Sequence, residues 1–228
     1  RIGKGLRSSP RDALLADSVS HDQRGLTFGF HRSMDNAGAV IGPLLAALFL
    51  SLGIPLQDIF LWAVVPGIVT VCLALLIKEP PMDEASQTAK FSWSLQGIPD
   101  QFKRYLVVAG IFALGNSSDM FLLLRAKEIG VPQEQIPLLW AGISLITTIF
   151  ATPLSAWSDT WGRKRFILVA WVAFTFFYIA MGLPHISMYQ VFGLFAIYGL
   201  FKAATEGVEK ALVADMAPKG LTGTCFGW

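Results

Sequence analysis

The sequence predicts an all-α membrane protein, a helical bundle with about six full transmembrane helices and partial ones at both ends of the chain. The 228 residues are 54% hydrophobic and only 15% charged, whereas soluble domains carry about 25% charged residues. Several long stretches lack Asp, Glu, Lys and Arg, and about 20 mostly apolar residues suffice to cross a bilayer. The net charge of +2 arises from 18 basic and 16 acidic residues, so neither a disordered chain nor a nucleic-acid partner is expected.

The uncharged stretches locate the spans in chain order. The predicted spans are 36–57, 59–77, 105–124, 135–158 and the two halves of 166–201. Asp58, close to Pro55, predicts a short turn between the first two spans. Asp119 lies inside the third span. The run 166–201 is too long for one crossing, and the glycine and proline of residues 182–185 predict the turn that divides it.

Lys and Arg concentrate in alternate loops, which predicts that those loops face the cytoplasm. The loops predicted to be cytoplasmic are 1–24, 79–103, 159–165 and 210–222. The opposite loops hold Arg125 and Lys127, which Glu128 and Glu134 offset. We therefore expect a multi-pass protein of a bacterial inner membrane.

The two ends of the chain repeat one another. Residues 12–17 align with residues 210–215 at an offset of 198, and without a gap Gly25 and Gly29 fall on Gly223 and Gly227. Because the offset contains six crossings, it predicts two parallel six-helix repeats, an organisation found in twelve-helix transporters. On this reading 1–78 ends the first bundle, 79–103 is a cytoplasmic linker, and 104–228 begins the second bundle.

The loop after the fourth span resembles a family signature. Residues 155–165 read SAWSDTWGRKR and are similar to the loop motif G-x-L-x-D-x-x-G-R-K/R of the major facilitator superfamily, in its second copy between helices 8 and 9. Asp159, Gly162, Arg163 and Lys164 match that motif, and Ser155 replaces its first glycine. The resemblance implies the helical bundle of that family, from the end of its helix 4 to the start of its helix 11.

The first span resembles the fifth-helix motif of the same family. Gly29, Gly38, Gly42 and Pro43 follow the spacing G-x8-G-x3-G-P, while Ala46-Ala47 replace the terminal glycines. Small residues four apart allow close approach of another helix. The resemblance is to the motif associated with proton-coupled efflux.

The same resemblance implies a gate at the cytoplasmic ends of the helices. Asp159 would face the N-terminus of the helix that begins near Gly25, where a carboxylate is stabilised by the helix dipole, and would latch the two halves together. The predicted gate residues are Asp159, Gly162, Arg163, Lys164, Arg24 and Gly25. The alternative is that Asp159 and Arg163 only stabilise their loop.

Four polar residues in or beside the predicted spans are candidates for the substrate or proton path, three of them because ionisable groups are costly within a bilayer. They are Asp35, Asn116, Asp119 and Glu206. His31 and Arg32 lie one turn before Asp35, so an ion pair near the interface is the alternative there. The repeat also places Glu209 opposite Arg11 and Lys210 opposite Asp12, which predicts ion pairs between the halves.

These patterns favour proton-coupled export of a small organic compound by alternating access. Metabolite uptake by symport or facilitated diffusion is the second reading, and a non-transporting membrane sensor on the same scaffold is the third. An open cavity beside Asp119 favours transport, whereas aromatic side chains filling it favour the sensor. The expected partners are the substrate, protons and lipid. The protein is expected to be a monomer without a metal or cofactor. The sequence lacks the G-x4-G-K-[ST] frame and other catalytic motifs, so no enzyme is expected.

Overall fold

The computed structural model describes residues 8–76, 97–116, 118–218 and 220–228 and the backbone of residues 2–7, and in these ranges the regular elements are helical. They are α1 (Ile2–Asp17), α2 (Arg24–Ser51), α3 (Leu56–Trp62), α4 (Val64–Leu75), α5 (Asp100–Gly115), α6 (Asp119–Ile129), α7 (Ile136–Trp161), α8 (Arg163–Gly182), α9 (Met188–Met216) and α10 (Thr222–Gly227), with 3₁₀ turns at His21–Gln23 and Gln133–Gln135. The all-α prediction is confirmed. Most of the predicted linker, 79–96, lies outside the described residues, and its end, 97–103, leads into α5.

Six helical segments of the described residues are long and apolar enough to cross a membrane, as the sequence predicted. Their ends differ from the prediction, however. The first extends back to Arg24 rather than starting at 36, and the last continues to Met216 rather than ending at 201. The predicted spans were too short because they included only residues without charge. Both helices also contain turns whose charges are paired with other helices.

Two of the spans are broken. The second divides at Ala63, between α3 and α4, where Pro66 cannot donate the helical hydrogen bond one turn back. The third divides between α5 and α6, and Ser118 caps α6 by accepting from the N–H of Met120 at 3.4 Å. This differs from the single helix predicted over 105–124. The break places Asp119 in the first turn of α6, where the helix dipole favours a carboxylate.

Aromatic packing holds α9 in place. Phe174 and Phe177 of α8 pack against Phe201 and Tyr198 of α9, with ring centroids 4.7 Å and 4.9 Å apart respectively. All four rings are buried. Burial of such side chains dominates core energetics, so this face of α9 is held against α8 while its polar residues face α5, α6 and α2.

Glycines allow α2 to cross α7 and α9 at close range. A Cβ atom added to Gly29 would lie 2.6 Å from the Cβ of Ser155, and one added to Gly207 would lie 3.0 Å from the Gly29 nitrogen. Farther along, the hydroxyls of Ser33 and Thr152 are hydrogen-bonded at 2.8 Å. Helix α2, which the sequence assigns to the first bundle, therefore directly contacts helices that the sequence assigns to the second bundle.

The rest of the predicted packing motif lies apart from this crossing. Cβ atoms added to Gly38 and Gly42 would meet no atom of the described residues within 4 Å. Pro43 lies inside α2 without ending it. Only the Gly29 end of the motif thus makes the predicted close approach among the described helices.

Candidate functional site

A cavity of about 380 Å³ lies between α5, α6 and α9. Its walls combine aromatic rings with charged and polar groups. The lining residues are Phe112, Asn116, Ser118, Asp119, Tyr198, Phe201, Lys202, Thr205, Glu206 and Glu209. Three of the four predicted path residues, Asn116, Asp119 and Glu206, therefore meet in one cavity. The aromatic side chains line this space without filling it.

The fourth predicted path residue lies in a smaller neighbouring cavity. Asp35 lines a space of about 180 Å³ between α2, α7 and α9, together with Arg32, Asn36, Trp140 and other residues. Lys202 lines both cavities. One lysine of α9 therefore separates a cavity in the second half of the chain from one that the first half helps to form.

Lys202 is the cation that balances Asp119. Its Nζ lies 3.0 Å from Asp119 Oδ2, and the Tyr198 hydroxyl donates to Asp119 Oδ1 at 2.5 Å. The same Nζ lies 3.8 Å from Glu206 Oε1 and 5.3 Å from the centre of the Trp140 ring. The partners of Asp119 thus come from α9. No local pattern in the sequence indicates these partners, because they are about eighty residues away from Asp119.

The ion pairs continue across the two halves of the chain. Glu206 of α9 pairs with Arg32 of α2. Arg32 Nη1 in turn lies 3.9 Å from Asp35, whose carboxylate is also 4.0 Å from His31 Nδ1. The local pairs around Asp35 agree with the sequence spacing. A charge network consisting of Asp119, Lys202, Glu206, Arg32 and Asp35 therefore connects the two cavities.

Glu209 lies apart from this charge network. Its Oε1 accepts a hydrogen bond from Trp171 Nε1 at 3.3 Å, and it has no ion-pair partner among the described side chains. The predicted pair with Arg11 is absent there, since Arg11 contacts Asp12 at 3.0 Å. The other predicted pair is present: Lys210 Nζ lies 2.8 Å from Asp12 Oδ2.

The signature loop after α7 packs on the first turn of α2. Asp159 accepts hydrogen bonds from the backbone N–H groups of Gly25 at 2.9 Å and Leu26 at 3.0 Å. Arg163 Nη1 lies 2.9 Å from the same carboxylate, and both side chains are only 7% exposed. Asp159 is thus at once the partner of Arg163 and the acceptor for two free N–H groups of a helix N-terminus.

Asp215, near the end of α9, is a member of this group that the sequence reading did not select. It pairs with Arg163, with Arg24 Nη1 at 3.0 Å and with His21 Nε2 at 3.2 Å. Arg24 also donates to the carbonyl of Ala214 at 3.0 Å. The internal repeat held the signal, because Asp215 aligns with Asp17 at the end of the equivalent helix.

A family model of the Major Facilitator Superfamily matches residues 1–228. The chain belongs to the Major Facilitator Superfamily. This confirms the resemblance found in the loop signature and in the first span. Together with the six apolar helices of the described residues, it establishes an integral, multi-pass membrane protein.

Several proteins are similar to this major facilitator chain over its full length. An uncharacterized MFS-type transporter of Methanocaldococcus jannaschii is 31% identical over 235 residues, covering all of the chain and 58% of that protein. An uncharacterized protein of Mycobacterium tuberculosis is 24% identical over 246 residues, covering all of the chain and 57% of the relative. The multidrug resistance protein MdtH of Salmonella paratyphi B is 22% identical over 233 residues, covering all of the chain and 56% of MdtH. The chain therefore spans somewhat more than half the length of these relatives. No solved structure matches it significantly.

Two loop residues of the major facilitator signature, Gly162 and Lys164, have different roles in the loop structure. Gly162 has a φ angle of +101°, a backbone conformation that favours glycine, and it makes the turn between α7 and α8. Lys164 is exposed and lines a surface cavity of about 440 Å³ beside Asp159 and Asp215. Gly162 thus shapes the loop that positions Asp159 and Arg163, whereas Lys164 faces outward.

Proposed function

We propose that the full-length protein is a secondary transporter that exports a small organic compound in exchange for protons by alternating access. The charge network that joins the two cavities carries this proposal. It consists of Asp119, Lys202, Glu206, Arg32 and Asp35, and its Glu206–Arg32 contact joins α9 to α2. Any motion that separates these helices must break that contact.

The network suits a transport path because its ends are accessible. The side chains of Asp119 and Asp35 are 28% and 47% exposed, so a proton or substrate can reach each carboxylate from its own cavity. Protonation of Asp119 would weaken its hold on Lys202, which already lies 3.8 Å from Glu206. A change at one cavity is thereby passed to the contact between the halves.

The contact of Asp159 with the first turn of α2 forms the gate in this proposal. A charge at a helix N-terminus contributes about 0.3–1 kcal/mol, and up to about 2 kcal/mol in partly buried geometry. Such an energy is small enough for a substrate-driven motion to overcome. We assign this gate to the cytoplasmic side, which the basic loops support, and the protein, as a monomer, to a bacterial inner membrane.

Two observations support export as the direction of transport. The chain is similar to a protein named for multidrug resistance, MdtH, and its first span carries Gly29, Gly38, Gly42 and Pro43 in the spacing of the efflux motif. The cavity of about 380 Å³ falls in the range typical of drug-sized ligands. An acid on an open cavity favours transport over a sensor role.

Accumulation of a fluorescent cationic dye in a pump-deficient bacterial host tests the proposal. The full-length protein is expected to lower accumulation, and a protonophore is expected to restore it. Asp35→Asn or Asp119→Asn is expected to restore accumulation without the protonophore. Asp58→Asn is the matched control, since this acid is exposed in the first turn of α3 and lines neither cavity.

The same assay separates the alternative functions. A rise in dye accumulation that depends on the proton gradient indicates uptake and overturns export. Unchanged accumulation of this dye and of a neutral and an anionic dye, from a protein shown to be in the membrane, overturns transport and favours a sensor. If Asp58→Asn restores dye accumulation as Asp119→Asn does, the acids of the charge network have no special role in transport.

A further inference from the structure

Among the described side chains, the cavity of about 380 Å³ contains one carboxylate that has no cationic partner. Its lining includes three carboxylates and one ammonium group. Within the charge network, Asp119 and Glu206 are matched by Lys202 and by Arg32 from the adjoining helix. Glu209 remains as the excess carboxylate among the described side chains.

The surroundings of Glu209 are aromatic rather than basic. The Trp171 indole, which donates to Glu209 at 3.3 Å, is stacked on Phe112 at 4.7 Å with an angle of 10° between the rings. Among the described residues, Tyr105 on α5 and Glu206 on its own helix act electrostatically on Glu209, and neither carries a positive charge. The one ammonium group that lines the same cavity, Lys202, is paired with Asp119. A single neutral donor therefore leaves most of the hydrogen-bonding capacity of this carboxylate unused.

We propose that Glu209 binds, in alternation, a proton and the positive group of a lipophilic organic cation. The inference rests on the proposed export function, since Glu209 lines the same cavity, and it names the substrate class. An unpaired carboxylate within a bilayer is costly, and either a proton or an organic cation neutralises it. The rings of Phe112 and Phe201, which line the same cavity, attract cations and provide apolar contact for the rest of the molecule.

The proton and the organic cation cannot both occupy the Glu209 carboxylate, so binding of one requires release of the other. When the cation arrives from the cytoplasmic side, the Glu209 O–H bond breaks and the proton leaves to cavity water as hydronium. When the cation departs on the other side, the carboxylate takes a proton from hydronium there. Each cycle therefore exchanges one positive charge for another, and the ion pairs of Asp119 and Glu206 stay intact at this step.

Binding of tetraphenylphosphonium to the purified full-length protein tests this inference. Calorimetric titration in buffers of different ionisation enthalpy is expected to show about one proton released per bound cation, since one carboxyl group exchanges. In Glu209→Gln the release is expected to vanish and the affinity to fall by roughly 10- to 100-fold, because the phosphonium loses its coulombic attraction to the carboxylate. Glu209→Asp is expected to keep the proton release.

Glu128→Gln is the matched control, because Glu128 is exposed and pairs with Arg125 at 3.3 Å at the far end of α6. It is expected to bind and release as the unmodified protein does. If Glu209→Gln does not fold, carbodiimide labelling of the unmodified protein tests the same inference. Dicyclohexylcarbodiimide, which reacts with protonated carboxyl groups in apolar surroundings, is expected to label Glu209, and tetraphenylphosphonium is expected to protect it.

The inference fails if tetraphenylphosphonium does not bind, if Glu209→Gln releases protons undiminished, or if the cation leaves carbodiimide labelling of Glu209 unchanged. Its failure is distinct from failure of the export proposal. Proton-driven export of a neutral dye without tetraphenylphosphonium binding overturns the cation site and leaves export standing. Proton release that depends on Glu209, in vesicles that show no flux under an imposed pH gradient, overturns export and supports the cation site.

Discussion

Replacing Asp159 by Asn is expected to open the proposed gate. Asp159 receives two backbone hydrogen bonds from the first turn of α2 and lies 2.9 Å from Arg163. The amide has no charge to offer the helix dipole or the guanidinium, and it can accept fewer hydrogen bonds. The loss of this partly buried charge and its hydrogen bonds at a helix N-terminus amounts to about 1–2 kcal/mol.

That energy applies only to the closed arrangement, since the contact is broken when the halves separate. Each 1.4 kcal/mol is tenfold in an equilibrium constant, so the ratio of closed to open molecules is expected to decrease by roughly 5-fold to 30-fold. A protein that is mainly closed would then populate the open arrangement measurably.

Electron–electron distance measurements between two spin labels give this ratio directly. Gln23 and Arg165 are exposed and lie on opposite sides of the gate, so cysteines at these positions report its opening. The native Cys72 and Cys225 are first replaced by Ser. The full-length protein in lipid nanodiscs is expected to show a short distance, and Asp159→Asn is expected to add a longer one.

Asp100→Asn is the matched control for this substitution. Asp100 also lies in the first turn of a helix and faces a cation, Lys103 at 3.0 Å, but its side chain is 82% exposed. Screening by solvent leaves such a pair with little energy, so the distances are expected to stay unchanged. If Asp159→Asn behaves as Asp100→Asn does, the contact does not hold the halves together and the gate reasoning is refuted.

Two further predictions concern the helix crossing and the charge network. Gly29→Val is expected to shift the same label pair to the longer distance, because a side chain there would meet Ser155 at 2.6 Å, whereas Gly38→Val, with open space around it among the described residues, is expected to leave the distances unchanged. Arg32→Glu and Glu206→Arg are each expected to abolish dye export, and the double exchange is expected to restore part of it, because the opposite charges meet again across the halves. Failure of the double exchange to exceed either single variant would show that the pair is not used as a pair.

The fold was predictable because its evidence is local. Apolar stretches, alternating basic loops and the loop residues around Asp159 and Gly162 are properties of short segments, and each carries its meaning without knowledge of distant partners. The break at Asn116 was harder to foresee. A polar patch in an apolar helix has the same composition whether the helix continues or restarts at a cap such as Ser118, and packing against neighbouring helices decides between the two.

The partners within the site were not predictable, because they depend on how helices face one another. Lys202 meets Asp119 only when α9 presents that face to α6, and Arg32 meets Glu206 only where α2 crosses α9. The charge-free criterion failed at these same turns. A charge within a bilayer is tolerated when another helix supplies its partner, so the turns excluded from the predicted spans are those whose charges pair between helices. A helix that extends beyond its uncharged run therefore indicates charges that pair with another helix, as in α2 at Arg32 and in α9 at Lys202 and Glu206.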